Sequence, residues 1–455
     1  MKKLMSTYKL YFLVFFLYSS FLFSQLSSTD YLIEMEQTRI NRSVDTSLIM
    51  SPTIEGQQEF YRPENRNWFA IKSVWVPEDE LYVAEAKELF PKDLRKYFTK
   101  DENGKIYYKL LIHPESEQLY KKITDKYPSF IEFEATSTSS SRTVLIRSKE
   151  NKQISFFGKL SLDVNLGGVV RTVPKGEVSR SVGVAEYVSK VQHKLDSNYQ
   201  MMPDVFGINP KSMQRGGMLI RPIPEAVKDS TIRLVPLFSL YADHAEGTLL
   251  KKLAEESKLS PREFVKKKIL EPFHKAWVSW AVNGPIVMEA HAQNVLAELD
   301  SEGKMTGRFF HRDMGGFNID MNSPHFDQKN RKDMIVFDDL EEEYHLKFSK
   351  KAQIQSYNIY FEGGFLYNVD KELIKIDPNY TKGDIYKTSR NIFVKNLALY
   401  SHLGTKGSFQ DTTIRKHLDT IDNISASDNK NLNSKTAGTF SRIQTCLLQI
   451  GSFSK

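Results

Sequence analysis

Apolar and polar positions trade places in short runs through most of the first 320 residues, and they adopt a helical spacing in only a few stretches. Residues 68–76 (WFAIKSVWV) and 106–112 (IYYKLLI) predict strands. So do 130–133 and 143–147, joined by a Ser/Thr run at 136–141. Residues 154–164 alternate as a further strand, which Gly167-Gly168 ends. Residues 218–221 and 232–241 read as strands or buried segments. Two apolar runs, 295–299 and 307–310, flank Asp300-Ser301-Glu302-Gly303 and predict a β-hairpin. Helical spacing covers 78–97 (broken by Pro91), 116–126 and 179–195. The clearest helix spans 260–282. Ser260 as N-cap, Pro261 at the first helical position and Glu263 three residues past the cap form a capping box. Phe264, Ile269, Phe273, Trp277 and Trp280 give that helix an apolar face, and Pro272 should kink it.

The order of these elements does not follow regular alternating βα units, which predicts an α+β fold. The patterned core covers 67–403. Residues 25–66 are Ser/Thr/Asn-rich and read as an irregular lead-in, and 404–455 as a polar linker with a C-terminal segment. The first 24 residues are different. Lys2, Lys3 and Lys9 precede an almost wholly apolar run over 10–22. This is the form of a signal peptide, or of a membrane anchor if it stays uncleaved. It is short of the ~20 residues that a span needs. The flanking lysines would place the rest of the chain outside the cytoplasm. A start further in, at Met35, would remove the segment altogether.

Composition narrows the classes. With 455 residues, 40% of them hydrophobic, the chain can build a large core. Lysine and arginine number 63 against 56 acidic residues, a surplus of +7. That is too small over this length to signal nucleic acid, and no nucleic-acid partner is expected. Cys446 is the sole cysteine, so neither an internal disulfide nor a cysteine metal cluster can form.

Three elements carry candidate chemistry. Residues 137–143 (STSSSRT) combine hydroxyls, backbone N–H groups and Arg142, which can fork two phosphate oxygens. Lys159 and Arg171 bracket a glycine break and can converge on one polyanion, the first as a point charge and the second as a clamp. Glu289, His291, Gln293 and Asn294 precede the hairpin, and in extended geometry 289, 291 and 293 share a direction. The hairpin should bring Asp313 back beside them. Glu289 and Asp313 suit Mg²⁺, Asn294 can add an oxygen, and His291 can donate to a phosphate.

In order, SSSRT at 139–143, Lys159, Arg171, EAHAQN at 289–294 and RD at 312–313 resemble the IucA/IucC (aerobactin synthase) family of siderophore synthetases that work without nonribosomal peptide synthetases. His113-Pro114 is similar to the start of that family's His-Pro-Trp-Gln element, with Glu115 and Ser116 in the last two places. Gly167-Gly168 stands where the family usually has Thr-Ser, and much of its long N-terminal lobe is missing. The resemblance covers roughly residues 105–320. It implies a cupped-hand fold, with a mainly antiparallel sheet as palm, a helical thumb and the ATP site in the palm. It implies Mg-ATP adenylation of citrate or a related polycarboxylate, followed by attack of an amine or hydroxyl, and a family in which homodimers are common. Carried over by motif, Ser140, Arg142, Thr143, Lys159 and Arg171 would hold phosphates. His291 would meet the phosphate at the reacting centre, with Lys159 and Arg171 sharing the catalytic work. Glu289, Asn294 and Asp313 would hold Mg²⁺, with Gln293 nearby and His113 toward the substrate.

Two other functions fit parts of the chain. His311-Arg312-Asp313 with Asn318 has the spacing of a kinase catalytic loop, and Asp338 or Asp339 would then hold metal. No G-x-G-x-x-G precedes it, and Asp338-Asp339-Leu340 is not Asp-Phe-Gly. An exported, non-catalytic relative that binds a carboxylate-rich ligand fits the apolar N-terminal run. An ATP-dependent enzyme needs the cytoplasm, so the location stays open here.

Overall fold

Alternation in the strands sets the architecture. The structure, a computed structural model, describes residues 26–39, 58–166, 169–319 and 355–400. The apolar run at 10–22, Gly167-Gly168, Asp338-Asp339 and the tail at 404–455 lie outside the described residues. The chain divides into two units, Met1–Leu397 and Ala398–Lys455, and everything below concerns the first.

Nine strands form the main sheet. They are β1 (Phe69–Pro77), β2 (Leu81–Glu85), β3 (Thr99–Glu102), β4 (Lys105–Ile112), β5 (Ser129–Ser137), β6 (Thr143–Ser148), β7 (Ser155–Leu160), β11 (Phe206–Pro210) and β12 (Met218–Pro222). Their order is β2-β11-β12-β7-β6-β5-β1-β4-β3, every neighbouring pair is antiparallel, and the sheet curls into a half-barrel. Between β7 and β11 lie a small pair, β8 (Leu162–Leu166) with β9 (Val169–Arg171), and the strand β10 (Tyr199–Met201). A second sheet has the order β10-β16-β15-β13, from β13 (Ile232–Pro236), β15 (Val295–Asp300) and β16 (Met305–His311), with β10 parallel to β16. The two-residue strands β14 (Ile286–Val287) and β17 (Asn318–Ile319) pair with each other.

The central strands are buried on both faces, which explains their nearly unbroken apolar runs. Val144, Ile146 and Phe156 enter one core with Phe98, Phe133 and Phe206. Leu145 and Phe157, one residue out of phase, enter another with Leu234, Leu296 and Phe310. That second core also takes Leu32 and Ile33 from helix α1 (Ser28–Thr38), which Ser27 caps by accepting from the Asp30 N–H. The lead-in expected to be irregular at 25–66 therefore contains a docked helix. Burying its Leu and Ile side chains stabilises it by ~1.5–3 kcal/mol each.

Helix α2 (Lys175–Val191) lies on the predicted 179–195 segment. Later come α3 (Leu249–Glu256) and α4 (Pro261–Phe264). A π-helical stretch, Val265–Leu270, links α4 to α5 (Glu271–Asn283). The capping box is formed, with Ser260 Oγ accepting from the Glu263 N–H at 3.3 Å. The expected break at Pro272 appears as the π stretch just before it, where wider turns accommodate the missing N–H. A second π-helical segment (Gln355–Leu366) leads into α6 (Tyr367–Ile376), followed by α7 (Asp384–Tyr400). The helix expected over 78–97 is instead a short 3₁₀ turn, β2 and one helical turn at Lys92–Arg95. Pairing of Leu81–Glu85 with β11 overrides the local spacing there. No helix among the described residues is long and apolar enough to cross a membrane.

Candidate active site

The antiparallel register of β6 and β7 places Lys159 opposite Thr143, at the root of the β5–β6 turn that carries SSSRT. The turn is tied down locally. Ser140 Oγ accepts from the Thr143 N–H at 3.1 Å, and the Thr138 hydroxyl donates to the Thr143 carbonyl at 2.7 Å. Ser141 takes a left-handed φ of 62° at its apex. The Leu160 N–H donates to the Arg142 carbonyl at 2.9 Å, which fixes the arginine beside the lysine strand.

Lys159 is nearly enclosed and meets two carboxylates, Asp313 at 2.6 Å and Glu177 at 2.5 Å. Arg142 reaches the same Glu177 oxygen at 3.3 Å and the Thr172 carbonyl at 3.3 Å. Arg171 is buried close by. Burial, reinforced by repulsion from Arg142, pulls its pKa down to about 10. Burial alone would raise the Asp313 carboxyl, but Lys159, Arg142 and Arg221 outweigh it and hold the group well below the usual carboxylate range. Glu177, in the first turn of α2, is likewise held down by Arg142 and Lys159 against its burial. Three cations thus gather with the carboxylates of Glu177 and Asp313 in a low-dielectric corner, and cations that can exchange carboxylate for phosphate oxygens suit an anion such as a phosphate chain.

The 289–294 segment approaches from the other side. It is a turn, not the extended run expected from its alternation. The His291 N–H donates to the Glu289 carbonyl at 2.7 Å, and the Asn294 and Val295 N–H groups both donate to the His291 carbonyl. A turn takes the side chains of 289, 291 and 293 out of the common direction that a strand would give them. His291 Nδ1 accepts from the Gln293 N–H at 3.1 Å, which assigns the neutral ring's proton to Nε2. Gln293 Nε2 donates to Ser139 Oγ at 2.9 Å and so joins EAHAQN to SSSRT.

The hairpin does return Asp313 to this place. The Arg312 N–H donates to the Asn294 carbonyl at 3.0 Å, and the Arg312 guanidinium donates twice to the Gln293 carbonyl, at 3.0 and 2.7 Å. Asp313 has a left-handed φ of 69°. The Met314 N–H behind it donates to Asp204, a buried carboxylate paired with Arg221 at 2.8 Å. Gly315 and Gly316 then run close to both acids. A Cβ added at Gly315 would lie 3.6 Å from Asp313 Oδ1, and one at Gly316 would lie 2.3 Å from Glu289 Oε2.

Among the described residues, no group of three or more His, Cys, Asp or Glu is arranged to hold a metal ion. Mg²⁺ needs only one or two carboxylates when phosphate oxygens complete its shell. Glu289 and Asp313 fit that requirement only together with a nucleotide.

His113 departs from its expected role. Its ring is enclosed between Tyr61 and Phe69, and its Nδ1 accepts from the Glu115 N–H at 3.2 Å as the cap of the 3₁₀ turn Pro114–Ser116. Burial pushes its pKa down to about 3. Enclosure leaves it packing and capping rather than facing a substrate. His311, first in the kinase-like triplet, is also enclosed, with Nδ1 at 2.7 Å from the Tyr199 hydroxyl and the ring against Phe317.

Sequence reasoning missed Glu36, Glu177, Asp204 and Arg221. Glu177 could have been noticed as an acid six residues past Arg171. The others are paired only by long-range folding.

The IucA / IucC family model matches residues 54–242, which include SSSRT, Lys159, Arg171 and Glu177. No curated protein matches the chain in sequence. Solved structures do match. ATP-bound aerobactin synthetase IucA from a hypervirulent pathotype of Klebsiella pneumoniae superposes with a TM-score of 0.63 at 16% identity, over 82% of this chain and 70% of that one. The petrobactin biosynthesis protein AsbB from Bacillus anthracis str. Sterne gives 0.62 at 16% identity, over 82% and 72%. Aerobactin synthetase IucC from the same Klebsiella pathotype gives 0.62 at 12% identity, over 84% and 72%. The family model thus covers the stretch that carries SSSRT, Lys159 and Arg171, whereas EAHAQN and RD lie beyond it, and the chain has the fold of these siderophore synthetases.

Proposed function

We propose that the protein is an ATP-dependent siderophore synthetase that adenylates a carboxylate, citrate or a derivative of it, and joins the acyl group to an amine or hydroxyl. The observation that carries this reading is the enclosed group of Arg142, Lys159 and Arg171, gathered with the carboxylates of Glu177 and Asp313 in one corner.

Adenylation builds negative charge on the α-phosphate and on departing pyrophosphate. Fixed cations in a dry corner stabilise that charge without reorganising at the moment of reaction. Lys159 would exchange its two carboxylates for phosphate oxygens. Asp313, already ionised, and Glu289 would then be placed to hold Mg²⁺, which screens the same charge when bound. His291, with its proton on Nε2, would donate to the phosphate, while Ser140, Thr143, Gln293 and Asn294 hold the turns that frame it.

The test is ATP–pyrophosphate exchange by the whole protein with citrate and other polycarboxylates. Carboxylate-dependent exchange is expected, and His291→Ala and Arg142→Ala should each abolish it along with ATP-dependent thermal stabilisation. Absence of both exchange and ATP binding would sink the proposal. Polycarboxylate binding without ATP binding would instead establish the non-catalytic, ligand-binding relative.

A further inference from the structure

Helix α1 lies outside the 54–242 match and outside every motif of the family resemblance, yet it ends inside the candidate site. Glu36, in its last turn, is fully buried. One of its oxygens accepts from the Ser139 N–H at 3.0 Å, and the other pairs with Arg312. Arg312 donates to the Gln293 carbonyl, and the Gln293 side chain donates to Ser139 Oγ, which returns to the starting residue. Four residues from three distant segments thus form a closed ring. Next to it, Gln37 Nε2 donates to Thr136 Oγ1 at 2.8 Å and to the Ser137 carbonyl at 2.9 Å.

We propose that Glu36 is a positioning residue for the nucleotide site, holding the SSSRT turn and the 289–294 turn at a fixed separation. The proposal rests on the ATP reading given above. A ring restrains more than its separate bonds do, because neither turn can shift without breaking contacts to the other two segments. The helix is itself anchored elsewhere, by Leu32 and Ile33 in the core and by Arg39 on the Gly247 carbonyl at 3.0 Å. The carboxylate therefore acts from a rigid base, and the turns are the parts that would move.

Glu36→Ala removes both contacts. Glu36→Gln keeps an acceptor for the Ser139 N–H and loses the charge on Arg312, and it serves if the alanine variant fails to fold. Hydrogen exchange is read without nucleotide. Amides within 138–143 and 289–294 should exchange about tenfold faster in E36A, with smaller changes in E36Q, while those of β6 and β7 stay protected. ATP affinity should fall about tenfold or more in E36A, and partly recover in E36Q. Unchanged exchange in both turns overturns the inference whatever ATP does. Faster exchange with unchanged ATP affinity overturns the positioning role and leaves Glu36 a merely structural tie. If the unsubstituted protein binds no ATP, the functional reading and the positioning role fall together, and the exchange data then show only whether the ring itself exists.

Discussion

Lys159 and Asp313, 154 residues apart in the chain, meet at 2.6 Å in a corner where the lysine side chain is 3% exposed. The lysine holds Glu177 from the same nitrogen. Removing it should strand two carboxylates. Lys159→Met is expected to lower stability by ~3–5 kcal/mol, the range for breaking one partner out of a buried pair. Adding Glu177→Gln should return part of that loss without returning nucleotide binding. Urea melts of both variants, with and without ATP, check this.

The glycines after Asp313 carry a different prediction. Gly316→Ala would put a methyl 2.3 Å from Glu289 Oε2, so the carboxylate must swing away. The methyl would also lie 3.0 Å from Glu289 Cβ, so the variant should stay folded with some loss of stability, the shortest contact falling on the end of a side chain. It should lose most of its Mg²⁺-dependent ATP binding. Calorimetric titration with and without Mg²⁺ measures both, and full binding in the variant would remove Glu289 from the metal assignment.

Asp204 is predicted to matter without touching ligand. It is buried, paired with Arg221 and bonded to the Met314 N–H. Asp204→Ala leaves the guanidinium without its counter-ion and frees the left-handed turn at Asp313. A stability loss of ~3–5 kcal/mol and loss of nucleotide binding are expected together. Asp204→Asn, which keeps an acceptor for that N–H, should retain more of both by thermal melting.

The enclosed histidines set an acid limb. Burial lowers His113 and His311 to about 3 and His274 to about 4, against an ordinary value of 6.5. Between those limits the unfolded chain takes up protons that the folded chain refuses, so stability falls as pH drops below about 6.5. Each histidine contributes about 1.4 kcal/mol per pH unit in that window. Glu362, raised by burial to about 7, acts with the opposite sign in the upper part of it. His113→Asn keeps a cap for the Glu115 N–H and cannot titrate. Its stability should fall about 1.4 kcal/mol per pH unit less steeply, by urea melts at pH 4.5 to 6.5.

Much of this was legible from local pattern. The capping box at Ser260 and the hairpin turn at Asp300–Gly303 depend on residues within a few positions of each other, and both formed as read. Lys159 and Arg142 could be named because their residue types suit phosphate, though their adjacency comes from strand register. What was missed depends on partners far along the chain. Residues 78–97 carry helical spacing, and only β11 makes Leu81–Glu85 a strand. Glu36 sits in a stretch with little periodicity, and nothing within it points to Arg312. The 289–294 turn was misread because a short alternation of polar and apolar residues is shared by strands and by hydrogen-bonded turns.

The ring of Glu36, Ser139, Gln293 and Arg312 also bears on biogenesis. A ribosome delivers the chain from the N-terminus onward, so the first two members wait through more than 150 further residues for the last two. Throughout that interval the SSSRT turn and the cations beside it are present without their opposing wall. On the ATP reading proposed above, tight nucleotide binding would be a property of the finished molecule alone, and a truncated product that kept the whole nine-stranded sheet would lack it.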